Sequence, residues 1–398
     1  MKLLIFTNYF PPEMGAASNR IFYLANGLKM LGHDVEIVAP LPNYPEGEIF
    51  DDYKRKFSRI EKIQGIIVNR YWIYATISKK PVQRALGMVS FAASFWVGLF
   101  RFRKKKPDVV IIQHSPLFVS FSALVLSRFF KGCKKVLNVS DLWPLSALEL
   151  GVMQEGKMFS LLEKIENYNY LHSDLIMGQS NEILTHVSSR CNKSVFLYRN
   201  IGPNEENDSK NTFKFEGVKK IIYAGLLGVA QGVYQICKNV DFKTLGVEFH
   251  IYGGGNEEAL IKEYLMTNKD SNIFFHGSLR KSELHKVLPR FHASIVPLAS
   301  RIYGAVPSKI YELIALSVPV LFCGGGEGAQ IISENEVGFT SDPGNFEQLS
   351  NNIIKLKELN DEAYGKLLEN CMKMANSQLN FQNQIEQFNC ELKILKSK

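Results

Sequence analysis

Val306-Pro-Ser-Lys-Ile-Tyr-Glu-Leu-Ile-Ala-Leu-Ser-Val-Pro-Val-Leu321 reads as a helix followed at once by a buried strand. Pro307 presets an extended backbone ahead of the helix and Ser308 can cap it, while Ile310, Leu313 and Ile314 fall on one helical face. Pro319 ends the helix, and Val320–Phe322 supplies the strand. Lys309 and Glu312 lie three apart, on neighbouring parts of the surface near the helix start. Free N–H groups and the positive end of the dipole suit a diphosphate there, and Lys309 adds a full charge. Glu312 is placed to accept hydrogen bonds from two adjacent hydroxyls, such as those of a ribose. The competing reading is a surface helix with an incidental ion pair.

Outward from this stretch, short apolar strands alternate with helices. Leu3–Thr7, Val35–Ala39, Val109–Gln113, Lys135–Val139, Leu175–Met177 and Val195–Leu197 read as strands, most of them separated by helices such as Ala17–Leu31 and Leu117–Phe130. The alternation resumes with Lys220–Tyr223, Phe249–Tyr252, Ile273–Phe275, Ser294–Pro297 and Val320–Phe322. Such a pattern means parallel sheets covered on both faces. At 398 residues the chain suits two domains. The polar run Gly202–Asn211 is the natural linker and hinge, giving domains at 1–201 and 202–380. A last helix, about Phe381–Leu395, is expected to pack back across the first domain. Ligand sites belong at the carboxyl ends of both sheets, facing one cleft.

Three glycine loops follow strands: Tyr9–Ala17 with Gly15, Tyr223–Gly232 with Gly228, and Tyr252–Asn256 with Gly254. Each alone reads as a tight turn, and their recurrence on strand ends favours a nucleotide. None is a Walker loop, and none is a complete Gly-x-Gly-x-x-Gly.

The six cysteines form no Cys-x-x-Cys pair, so neither zinc nor a disulfide framework is expected, and the N-terminus lacks the pattern of a cleaved signal peptide. Residues 1–199 hold 26 Lys/Arg against 16 Asp/Glu, and residues 200–398 hold 21 against 23. The first half therefore suits an anionic partner. There is no basic-aromatic motif or zinc finger for nucleic acid. Ala85–Phe100, which includes Trp96, carries no charge and is followed by Arg101, Arg103, Lys104, Lys105 and Lys106. Sixteen residues of helix span about 24 Å, short of a bilayer core. The segment is expected to lie in a membrane interface with its basic cluster on anionic headgroups, the competing reading being a core helix with a solvated charged end.

Together these residues resemble a retaining glycosyltransferase of the GT-B architecture, family 4, over nearly the whole chain. The likeness is carried by Asn8–Arg20, Ser140-Asp-Leu-Trp-Pro144 with Glu149-Leu-Gly151, Tyr223–Gly232, Ile251–Gly255, Phe275-His-Gly-Ser278 with Glu283-Leu284, and Val306–Val320. Asp-Leu-Trp-Pro and Ala230-Gln-Gly232 look like the branch that builds bacterial O-antigen, capsule and exopolysaccharide, nearest to N-acetyl-L-fucosamine and colanic-acid-type transferases. The resemblance implies that Glu312 binds the donor ribose, that Ser308 and Lys309 meet the diphosphate, and that Gly15 closes on it. It also implies that Asp141 lies near donor sugar and acceptor, and that the loop holding Ser278 faces the base. It implies a UDP-linked donor, an N-acetylated deoxysugar among the candidates, and a polyprenyl-diphosphate-linked saccharide acceptor. The place of work would be the inner face of the cytoplasmic membrane. Two departures stand out. Gly304 occupies the place of the family's first motif glutamate, and the basic residue usual after the Gly225 strand is absent, which shifts phosphate neutralisation onto Lys309 and Arg301.

The chemistry expected is departure of a diphosphate with the anomeric configuration kept. Lys309 and the helix N-terminus would stabilise the leaving charge without a metal or cofactor. Asp141 would orient groups while the leaving phosphate takes the acceptor proton. His114 is given no catalytic role, and His33 and His172 read as helix-end residues. The alternatives are a sugar-nucleotide 2-epimerase of the same architecture, a nicotinamide dehydrogenase, or a non-catalytic membrane-associated scaffold.

Overall fold

The computed structural model describes residues 1–76, 78, 81–203 and 217–397. The chain forms two compact units, Met1–Pro203 with Phe381–Lys398, and Asn204–Asn380. The linker expected at Gly202–Asn211 lies outside the described residues from Asn204 onward.

The first unit is built on β1 (Lys2–Phe6), β2 (Asp34–Pro40), β3 (Ser58–Ile63), β4 (Ile66–Tyr71), β5 (Val109–Gln113), β6 (Lys134–Val139), β7 (Leu175–Gly178) and β8 (Ser194–Leu197). They form one sheet in the order β3-β4-β2-β1-β5-β6-β7-β8. Among the described residues only the β3–β4 pair is antiparallel. That hairpin was not foreseen. It turns through Gln64 and Gly65, both at positive φ, and β3 alternates exposed and half-buried residues as an edge strand does. By contrast every residue of β5 is buried, because helices cover both faces of the central strands. The C-terminal helix Phe381–Ser397 completes this unit's core with Ile385, Phe388 and Leu392, packed with Leu24, Leu28 and Ile37. Gln384 exchanges two hydrogen bonds with the Arg199 backbone at 2.9 and 3.1 Å. His33, after the first helix, meets Asn389 of the last helix at 2.8 Å.

The second unit contains β9 (Lys220–Ala224), β10 (Glu248–Tyr252), β11 (Ile273–Gly277), β12 (Ala293–Pro297), β13 (Val320–Cys323) and β14 (Gly338–Ser341). All pair in parallel, in the order β11-β10-β9-β12-β13-β14. This is the doubly wound Rossmann order, which reverses between β9 and β12 and opens a crevice there at the carboxyl ends. The helix Ser308–Ala315 follows β12, with its N-terminus at that edge. Pro307 occupies the cap position and Ser308 is the first helical residue, so Ser308 does not cap as expected. Its apolar face is Ile310, Leu313 and Ile314, each fully buried.

Candidate functional site

In the second unit the loops after β9 and β10 are joined backbone to backbone. Gly225 N–H donates to Tyr252 O at 2.9 Å, Leu227 N–H to Gly254 O at 3.0 Å, and Glu257 N–H to Leu227 O at 2.9 Å. A Cβ at Gly253 would stand 1.9 Å from Gly225 O, so only glycine allows the approach. Gly228 accepts from Gln231 and Gly232 N–H at 3.0 and 3.2 Å, and a Cβ at Gly254 would lie 2.9 Å from Ser278 Oγ. Gly228, Gly254 and Ser278 thus line one connected edge. The loop after β9 is tied in turn to that after β12, where Ala299 N–H donates to Ala230 O at 2.8 Å.

At the start of the helix Ser308–Ala315, Lys309 Nζ lies 2.8 Å from Glu312 Oε2. The other carboxylate oxygen, Oε1, is 2.7 Å from His285 Nε2. His285 comes from the helix Lys281–Val287, whose start is closed by Glu283 accepting the Arg280 N–H at 3.1 Å. Burial pushes the Glu312 carboxyl up, but His285 and Lys309 outweigh it and hold it at about 2. It is therefore a fixed anion at neutral pH, with lone pairs left to accept from hydroxyl groups. His285 had no part in the sequence reading. It stands 27 residues from Glu312, and only the fold joins them. Arg301 lies against Gly325, 3.2 Å from where a Cβ there would sit, and lines a separate open depression of about 760 Å³ with Thr340, Asp342 and Lys355. That depression contains neither Lys309 nor Glu312. The charges converging on Glu312 lie outside it.

In the first unit, Gly15 precedes the helix Ala16–Met30 at φ 141°, a conformation other residues rarely adopt. Its loop is fixed by the buried Glu13 carboxylate, which accepts from the Asn43 and Tyr44 N–H groups at 2.9 and 3.0 Å. Asp141 lies just beyond β6. Burial raises its pKa, opposed by Ser146, Arg20 and the Leu142 N–H. Arg20 is buried. Desolvation lowers its pKa to about 10, against Tyr198 and Asp141. Its Nη1 donates to Gln179 Oε1 at 3.1 Å, and Gln179 Nε2 donates to Ser140 O at 2.6 Å, so Arg20 is coupled to the residue before Asp141. His114, at the end of β5, is fully buried against Tyr170, and neither ring nitrogen has a hydrogen-bond partner among the described residues. Burial pushes its pKa down to about 4, so the ring is a neutral group able both to donate and to accept. The sequence reading gave His114 no catalytic role and did not single out Arg20. A charged residue on an otherwise apolar helix face was the available signal for Arg20.

The segment singled out for membrane contact is divided by the fold. Trp96 Nε1 donates to Ser122 Oγ at 2.7 Å, and its ring packs edge-on against Phe129. Lys105 and Arg101 turn to Glu36, at 2.5 and 3.8 Å. Arg103, Lys104 and Lys106 are exposed and form no ion pair among the described residues.

Residues 15–190 match the family described as glycosyl transferase 4-like domain, and residues 204–377 match glycosyl transferases group 1. A putative colanic acid biosynthesis glycosyl transferase, WcaI, from Escherichia coli K12 is 22% identical over 334 residues, covering 79% of this chain and 81% of that one. Among solved structures, sucrose-phosphate synthase from Thermosynechococcus elongatus superposes with a TM-score of 0.72 at 13% identity, covering 100% and 99% of the two chains. A glycosyltransferase from Rickettsia africae superposes at 0.68 and 14%, covering 99% and 98%. The chain is a glycosyltransferase with the GT-B fold. Its second unit matches the glycosyl transferases group 1 model and its first the glycosyl transferase 4-like model.

Proposed function

We propose that this enzyme moves a sugar from a UDP-linked donor, with retention of configuration, to a polyprenyl-diphosphate-linked saccharide in bacterial surface polysaccharide synthesis. The observation that carries the donor part is Glu312, held ionised between Lys309 and His285 beside a helix N-terminus at the strand-order reversal. Glu312 accepts the two ribose hydroxyls. Lys309 and the helix N–H groups take the diphosphate, whose charge grows as the sugar–phosphate bond breaks. The leaving phosphate removes the acceptor proton on the same face, and Asp141 orients the reacting groups. The acceptor class rests on the likeness to the WcaI protein and on the basic first half of the chain.

Calorimetry with UDP and turnover with UDP-sugars test the assignment. Glu312→Ala should weaken UDP binding by about 1.5–3 kcal/mol for each charge-assisted bond lost. Lys309→Ala should act mainly on turnover, because its charge matters most as the diphosphate leaves. UDP affinity unchanged in both variants would place the donor site elsewhere.

A further inference from the structure

The helical segment Ala85–Lys105 is long and apolar enough to cross a membrane by length and composition. Its inner face rules out that use. Phe91, Phe95 and Phe102 are fully buried, with Phe95 and Phe102 packed against Phe6 of β1 at 5.2 and 6.1 Å between ring centres. Gly98 passes so close to Tyr71 that a Cβ would stand 2.3 Å from its hydroxyl. The segment is a component of the first unit's core.

Its outer face is apolar too. Val82, Leu86, Val89, Ala93, Val97 and Phe100 follow one another at helical spacing and are all exposed, Val97 at 66% and Phe100 at 81%. Phe121 and Phe129 are exposed on the neighbouring helix Leu117–Ser127 and just beyond it, beside Arg128. An apolar row of this length is unusual on a soluble surface. The charges that flank it in the sequence have one sign. Asp and Glu are absent from Lys62–Pro107 and again from Val109–Ser140. Arg103, Lys104 and Lys106, without an ion pair among the described residues, stand at the row's end.

We infer that this face lies flat in an anionic bilayer leaflet, with Val97 and Phe100 inserted among the acyl chains and Arg103, Lys104 and Lys106 on headgroup phosphates. The inserting residues therefore differ from those expected from the sequence, since Trp96, Arg101 and Lys105 are engaged within the protein. A second copy of the chain does not fit. A second copy of this face would offer Arg103, Lys104 and Lys106 no carboxylate from its own row, since Lys62–Pro107 and Val109–Ser140 contain none. The proposal uses no residue of the donor site, so failure of the UDP assignment leaves it standing.

Flotation of the full chain with phosphatidylglycerol/phosphatidylethanolamine vesicles, against phosphatidylcholine vesicles, is the test. Binding should need phosphatidylglycerol. The double variant Val97→Glu, Phe100→Glu should partition at least about tenfold less. Replacing Arg103, Lys104 and Lys106 by serine should cost about a hundredfold at low salt and less at high salt. These positions are exposed, so an unchanged melting temperature confirms folding. Tryptophan placed by Phe100→Trp should be quenched by lipids brominated on the acyl chain. Loss through the serine variant with no effect of the glutamates or of the bromine would mean adsorption without insertion and would overturn the proposal. So would equal binding to both vesicle types, or a dimer abolished by the same glutamates.

Discussion

Glu312 carries opposite pressures in one carboxylate: burial favours its neutral form, and two cationic or donating neighbours favour its charge. The neighbours win, since the group sits at about 2 against an ordinary 4.5. A carboxyl depressed on folding stabilises the native state fully above its unfolded pKa and loses that contribution as pH falls through the folded one. Chemical denaturation should thus show a stability gap between the parent protein and Glu312→Gln that is constant above pH 4.5 and closes between 4.5 and 2. A gap that persists at pH 2 would contradict the linkage. His285 permits a second measurement. A glutamine amide can donate to Glu312 Oε1 as the imidazole does, whereas alanine cannot. His285→Ala should weaken UDP binding by about 1–2 kcal/mol and His285→Gln by clearly less. Equal loss in both would show that His285 matters through packing alone. The Lys309–Glu312 pair was legible in the sequence because it depends only on helical periodicity. His285, 27 residues away, was not.

Among the elements, the loops after β9 and β10 depend on backbone contact that no side chain can enter. Gly253→Ala would force a Cβ into Gly225 O and should destabilise the protein by about 3 kcal/mol. Gly344→Ala, also at positive φ but with open space around it, is the control for strain alone. Thermal denaturation should show Gly253→Ala falling well below Gly344→Ala, and similar values would remove the case for close approach. The sequence marked these loops as glycine-rich. It did not say which glycine touches which backbone, because the two loops come from strands that meet only in the sheet. The β3–β4 hairpin was missed for a related reason. Ser58-Arg-Ile-Glu-Lys-Ile63 is half charged and looks like a surface loop until β4 supplies its hydrogen bonds.

For the molecule as a whole, the chain leaves the first unit near Pro203 and returns to it at Phe381. The returning helix brings Ile385, Phe388, Leu392 and Leu395 into a core otherwise made by residues before 199. Ending the chain at Asn380 would strip those side chains and leave Leu24, Leu28 and Ile37 open to water. Burying each large apolar side chain is worth about 1.5–3 kcal/mol, so the loss is of the order of a small unit's whole stability. Limited proteolysis of the shortened chain should digest residues 1–203 while a fragment of the second unit survives. Equal resistance of both would show that the last helix is dispensable.

The sequence by itself determined the class of fold and the pairing of two side chains at one helix start. Both follow from local rules: fully buried parallel strands read as apolar runs, and residues three apart in a helix are neighbours whatever surrounds them. Tertiary structure decided the rest. Which side of the segment 82–105 faces outward is invisible in an apolar stretch, because periodicity marks a face only where polar and apolar residues alternate. It took Phe6 of β1 and Tyr71 of β4 to bury one side and leave Val97 and Phe100 on the other. The contacts of Arg20 with Gln179 and of His285 with Glu312 are of the same kind. A hydrogen bond across 159 or 27 residues is set by the order of strands in a sheet, which no local spacing encodes.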